Sequence, residues 1–132
     1  MVKKDTAIKK IMTKNLVTAH PSNSLTQIKG IFDRMDFHHL PIVEKGNKLV
    51  GIISQMDIDR FHDLIINNNL HATAEDIMTK FPMSLDQDDS VGLAADIFLA
   101  NKFHAIPIVE DGEILGLVTT HDILRFCFKS VI

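Results

Sequence analysis

The stretch GIISQMDI at 51–58 returns as GLVTTHDI at 116–123, and the echo runs well beyond those residues. Aligning Ile11 with Ile77 sets an offset of 66. The same offset pairs Thr18 with Ser84, Ser24 with Ser90, Phe32 with Phe98, and FHHLPIVE at Phe37 with FHAIPIVE at Phe103. After the turns EKGNK and EDGE the second copy is one residue shorter, so Gly51 pairs with Gly116 and Asp57 with Asp122. A fixed period constrains a fold strongly, because each copy is one supersecondary unit that cannot bury its apolar face alone. The expected repeats are residues 1–68 and 69–132.

Each copy carries the same punctuation. A short helix opens it, around Thr6 to Met12 and Ala74 to Met78, and an extended piece follows, LVTA or PMSL. Ser24 and Gln27 form an S-x-x-Q capping box ahead of Ile28, Ile31, Phe32 and Met35. Ser90 caps the second copy, with Asp88 and Asp89 placed to suit the helix dipole. HLPIVE and KLVGIIS read as two strands joined at Gly46, and AIPIVE and EILGLVT repeat this around Gly112. A last helix starts at Ser54 and again near Thr119. The expected fold class is α+β, layered, as two tandem β-α-β-β-α repeats. Half of a 132-residue chain buries its surface poorly. The halves are therefore expected to pack pseudo-symmetrically and share a core. NNNLHATAED, Asn67 to Asp76, reads as a linker, since three Asn disfavour helix.

Composition narrows the function. Hydrophobic residues are 45% and charged residues 23%, which is globular. A net charge of −3 argues against a general nucleic-acid binder. A single cysteine, Cys127, in the apolar ILRFCFKSVI, forms no intrachain disulfide and reads as a small buried hydrophobe. MVKKDTAIKKIM has no apolar signal-peptide region, Met1 reads as a natural start, and no run spans a bilayer. A soluble cytoplasmic protein is expected.

Ser54 with Asp57, and Thr119 with Asp122, place a hydroxyl at the N-cap and a carboxylate at N3. One reading is a variant capping box that satisfies orphan backbone N–H groups. The other is a ligand site, because Asp accepts two hydrogen bonds from a cis-diol such as ribose and a hydroxyl can donate to a phosphate.

IMTK, FHHLPIVE with FHAIPIVE, and GIISQMDI with GLVTTHDI together resemble the cystathionine-β-synthase (CBS) domain, in two tandem copies as a Bateman module. The resemblance covers almost the whole chain. It implies β-α-β-β-α units packed through their sheets, with two clefts for adenine nucleotides or related adenosyl ligands. On this chain it implies a first cleft of Thr119, Asp122, Met12, Leu16 and Val17, with His38, His39 and His121 toward the phosphate. The second would use Ser54, Asp57, Met78, Pro82 and Met83, with His104 toward the phosphate. Ala105 stands where the first copy has His39, and Met56 where the second has His121, so the clefts are expected to be unequal and the first tighter for phosphorylated ligands. The family often has Arg at His39 or Ala105. Histidine in its place suggests pH-dependent affinity or a ligand without phosphate, such as S-adenosylmethionine.

No HExxH or Cys/His ligand spacing suggests a metal, and no nucleophile elbow, Walker loop or paired catalytic carboxylates suggest an enzyme. Of Phe61, Leu64, Ile65, Ile123, Phe126 and Phe128 on the last helices, some read as core, but DILRFCFKSVI is too apolar for a free surface, and the resemblance implies a homodimer formed through these helices. The expectation is a non-catalytic regulatory module binding AMP, ADP, ATP or S-adenosylmethionine, without a catalytic cofactor, and signalling to an effector protein on another chain. The alternative is a ligand-free dimerisation scaffold.

Overall fold

The computed structural model describes residues 3–67, 71–101 and 103–129. The proposed linker at 67–76 thus lies partly outside the described residues, and its end, Ala74 to Asp76, is helical. The chain forms two compact units, Val17–Pro82 and a second made of Met1–Leu16 with Met83–Ile132.

In the unit Val17–Pro82, helix α1 (Leu25–Arg34) starts at Ser24, where both bonds of the expected capping box are formed with Gln27. Its apolar stripe buries Leu25, Ile28 and Phe32. Strands β1 (His39–Glu44) and β2 (Lys48–Ser54) pair antiparallel, with a bulge between Ile42 and Val43. Helices α2 (Gln55–Arg60), α3 (His62–Ile66) and α4 (Ala74–Ile77) follow, then β3 (Thr79–Lys80), which pairs antiparallel with β2. The last helix of this copy is therefore broken at Phe61. The core gathers Leu40, Ile42, Ile53, Ile58 and Ile65 under α1.

The second unit repeats this with α5 (Val91–Ala100), capped by Ser90, and strands β4 (Ala105–Glu110) and β5 (Glu113–Thr119), again bulged, between Ile108 and Val109. Helix α6 (Thr120–Lys129) closes it. Asp111 and Gly112 both have positive φ, 51° and 82°, as a two-residue hairpin turn that follows the strand twist requires. Its core holds Ile8, Ala94, Ile106, Ile108 and Val118. Each unit thus has its own cluster of buried apolar residues.

The leading segment belongs to this second unit because its backbone bonds there are the ones the repeat dictates. Ile8 N–H donates to Asp89 O (2.8 Å), as Ala74 N–H donates to Asn23 O (2.8 Å) in the other unit. Lys9 to Gln87 repeats as Glu75 to Pro21, and Val91 to Thr6 as Leu25 to Ala72. Residues 3–14 do for the second unit what 71–80 do for the first. Units and sequence repeats therefore cut the chain at different places, the first by contact and the second by motif.

Candidate functional site

The glycine that opens GIISQMDI and again GLVTTHDI explains how the Asp-bearing turn meets the extended segment. A Cβ on Gly116 would lie 2.7 Å from Met12 Sδ and 3.0 Å from Thr13 O. A Cβ on Gly51 would collide with Met78 Sδ and sit 3.1 Å from Thr79 O. Only glycine lets the segment lie flat on the strand. Thr13 then bonds both ways with Leu117 (2.9 and 3.0 Å), and Thr79 pairs with Ile52.

Three residues on from each glycine the strand ends in a hydroxyl, Ser54 or Thr119, and a helix begins. Asp57 N–H donates to Ser54 Oγ (3.1 Å), and Asp57 Oδ2 accepts from Ser54 N–H (2.8 Å) and the Ser54 hydroxyl (3.0 Å). Asp122 N–H donates to Thr119 Oγ1 (3.1 Å), while Asp122 Oδ2 accepts from Thr119 N–H (2.9 Å). The capping reading of both motifs therefore holds. It leaves the other oxygen uncommitted to the cap. Oδ1 of Asp57 faces Arg60 Nη1 at 3.7 Å, and Oδ1 of Asp122 faces Arg125 Nη1 at 3.3 Å. These arginines were not singled out in the sequence. Their signal is the shared spacing D-I-x-R in both copies, one helical turn on.

The two turns differ in one contact. The Thr13 hydroxyl lies 3.5 Å from both oxygens of Asp122, and Thr79 makes no such bond to Asp57 among the described residues. Asp122 is correspondingly the more enclosed, its side chain 4% exposed against 13% for Asp57.

The unit with Met1–Leu16 and Met83–Ile132 contains Met12, Leu16, Met83, His104, Thr119, His121 and Asp122. Met12 packs on Gly116, His104 O accepts from Thr120 N–H (3.0 Å) at the start of α6, and His121 is exposed beside Asp122. The other unit contains Val17, His38, His39, Ser54, Asp57, Met78 and Pro82. His39 pairs with Ser54 across the hairpin, and His38 O accepts from Gln55 N–H (2.8 Å). Each copy's histidine thus stands by its own hydroxyl-Asp turn. The grouping of Val17, His38 and His39 with Asp122, and of Met83 and His104 with Asp57, draws on both units.

Among the described residues no group of three or more His, Cys, Asp or Glu could hold a metal, and no helix is long and apolar enough to cross a membrane. On the last helices Ile65 is buried, Phe61, Leu64, Ile123 and Phe126 are half-buried, and Ile66, Leu124 and Phe128 are exposed.

The CBS domain family model matches this chain twice, at residues 8–62 and 74–129. L-aspartate semialdehyde sulfurtransferase of Methanocaldococcus jannaschii is 33% identical over 91% of this chain, which spans 23% of that protein. That protein is thus about four times the length of this chain. The CBS domain pair of protein MJ0100, in complex with 5′-methylthioadenosine and S-adenosyl-L-methionine, is 31% identical, with TM-score 0.82 over 95% of this chain and 98% of that one. CBSX2 in complex with AMP, at 23% identity, TM-score 0.83, 96% of this chain and 98% of that one, shares the fold.

Proposed function

The chain belongs to the CBS-domain family, with two copies of the domain, and from that premise we propose that it is a non-catalytic regulatory module that binds an adenosyl ligand at its two Asp-bearing turns. The observation that carries the reading is the division of labour within each carboxylate. Oδ2 closes the helix cap, and Oδ1 faces an exposed arginine that a ribose diol can displace, with the Thr13 hydroxyl 3.5 Å away as well in Asp122. The structural neighbour at 31% identity binds 5′-methylthioadenosine and S-adenosyl-L-methionine, which supports the adenosyl class. AMP, ADP and ATP share its diol and base.

The residues assigned from the sequence carry the proposal. Thr119, Asp122, Met12, Leu16, Val17, His38, His39 and His121 serve one ligand, and Ser54, Asp57, Met78, Pro82, Met83 and His104 serve the other. Repeats 1–68 and 69–132 each supply one turn. A ligand that binds one conformation of the module better shifts its population, and an effector chain in the cytoplasm reads the change.

The test is a thermal-shift panel of AMP, ADP, ATP, S-adenosylmethionine and NAD on the wild type and Asp122→Ala. A ligand at 100 times its dissociation constant adds about 2.7 kcal/mol of stability. The expected result is a shift that the substitution reduces, alongside a loss of about 0.5–2 kcal/mol from the cap. No shift with any compound, confirmed by calorimetry, sinks the reading. A scaffold role through homodimerisation is the second reading, and the exposure of Ile66, Leu124 and Phe128 on the closing helices favours it.

A further inference from the structure

We infer that Arg125 makes the Asp122 turn select adenosyl ligands carrying a phosphate over those carrying a sulfonium, an inference that rests on the function proposed above. Asp122 is almost wholly enclosed, and its Oδ2 is spent on the Thr119 backbone. Arg125 lies against Oδ1 at 3.3 Å with its own side chain 57% exposed. Its Nη1 thus faces the carboxylate while the side chain as a whole stays more than half exposed. A ribose diol arriving at Oδ1 brings hydrogen bonds but no charge. It displaces the guanidinium without neutralising it, and the helix holds Arg125 one turn from the ligand.

A guanidinium keeps its charge and presents a planar fork that matches phosphate oxygens in pairs. Beside a sulfonium it is a like charge. The Thr13 hydroxyl also lies by Asp122, and His104 O accepts from Thr120 N–H at the start of the same helix, where His121 is exposed. Arg60 stands farther from Asp57, at 3.7 Å, and is 66% exposed, so the same preference is weaker there.

Calorimetry with AMP and with S-adenosylmethionine tests this on the full chain, for wild type, Arg125→Gln and Arg125→Lys. The three are compared again in an Asp57→Asn background, which keeps a carbonyl oxygen for the cap and weakens the other turn, while the unsubstituted chain reports on the proposed function itself. The expected result is that Arg125→Gln loses about fivefold in AMP affinity, the scale of a partly exposed charge contact. S-adenosylmethionine holds or gains, and Arg125→Lys keeps most of the AMP affinity. An AMP to S-adenosylmethionine ratio unchanged by Arg125→Gln overturns the inference while leaving the proposed function standing. So does a parallel loss of both ligands with a lowered melting temperature, which marks Arg125 as structural. If neither ligand binds the wild type, the proposed function fails and takes the inference with it.

Discussion

The unit Val17–Pro82 is a single stretch of chain, whereas its counterpart is assembled from Met83–Ile132 and the first 16 residues. Both have the same backbone bonds at the junction. Ala74 to Asn23 in one is Ile8 to Asp89 in the other. What differs is connectivity. The first unit receives its closing segment from the chain that follows it, and the second from the chain that precedes everything else. A tandem repeat is thus completed as a cycle, and the repeat boundary seen in sequence need not be where packing divides.

The same repeat position is filled differently, and this offers the strongest way to break the comparison. Ile8 and Ala74 are both fully buried. Ile8→Ala removes a core side chain from the discontinuous unit and should cost about 2–5 kcal/mol. Ala74→Ile overpacks the continuous one and should cost about 1–3 kcal/mol. Urea unfolding measures both, and hydrogen exchange locates them. Protection lost first in residues 87–92 after Ile8→Ala is expected. A loss confined to 17–82 would show that the leading segment does not hold the second unit.

Next in size are the glycines. Gly116→Ala and Gly51→Ala each drive a methyl group into a methionine sulfur and close to a carbonyl oxygen. Each should cost about 1–3 kcal/mol. Adding Met12→Ala or Met78→Ala should return part of this, the carbonyl being unable to retreat. A double-mutant cycle with no coupling would mean the close approach is absent in solution.

Much of this was legible from residues. The duplication, the Ser24–Gln27 box, the hairpins and the paired hydroxyl-Asp caps all follow from local pattern, because each depends on residues within a turn or two. The cyclic closure did not, because the contacts of Ile8 with Asp89 and of Met12 with Gly116 link residues far apart in sequence. Nor did the break of the closing helix at Phe61, where nothing in QMDIDRFHDLII interrupts the apolar pattern. The arginines were visible as D-I-x-R in both copies. The difference between Thr13 and Thr79 was hidden, since both copies carry the same threonine.

That difference is the third test. Thr13→Val keeps shape and removes the hydroxyl from Asp122. At 3.5 Å the bond is long, so the loss should be about 0.5 kcal/mol. Thr79→Val should cost nothing measurable beyond it. Equal effects in the two would mean that the turns are the same in solution and that Asp122 owes its enclosure to something else.

The smallest expected effect also separates the units. Lys9 pairs with Asp88 at 2.9 Å in the discontinuous one, while the matching positions of the other hold Glu75 and Ser22 and so offer no pair of opposite charges. The hydrogen bond from Lys9 to Asp88, with the attraction between their charges, raises the lysine above its usual 10.5. A group raised on folding contributes stability that is fully present below its unfolded value and is lost as pH rises through the folded one. The contribution should therefore persist across neutral pH and fade only above about 10.5. Both partners are solvent-exposed, so salt should erase it first. The measurement is the stability difference between wild type and Lys9→Met at low and at molar salt. A difference that survives molar salt would mean that the attraction between the Lys9 and Asp88 charges is not what makes this contact contribute to closing the unit.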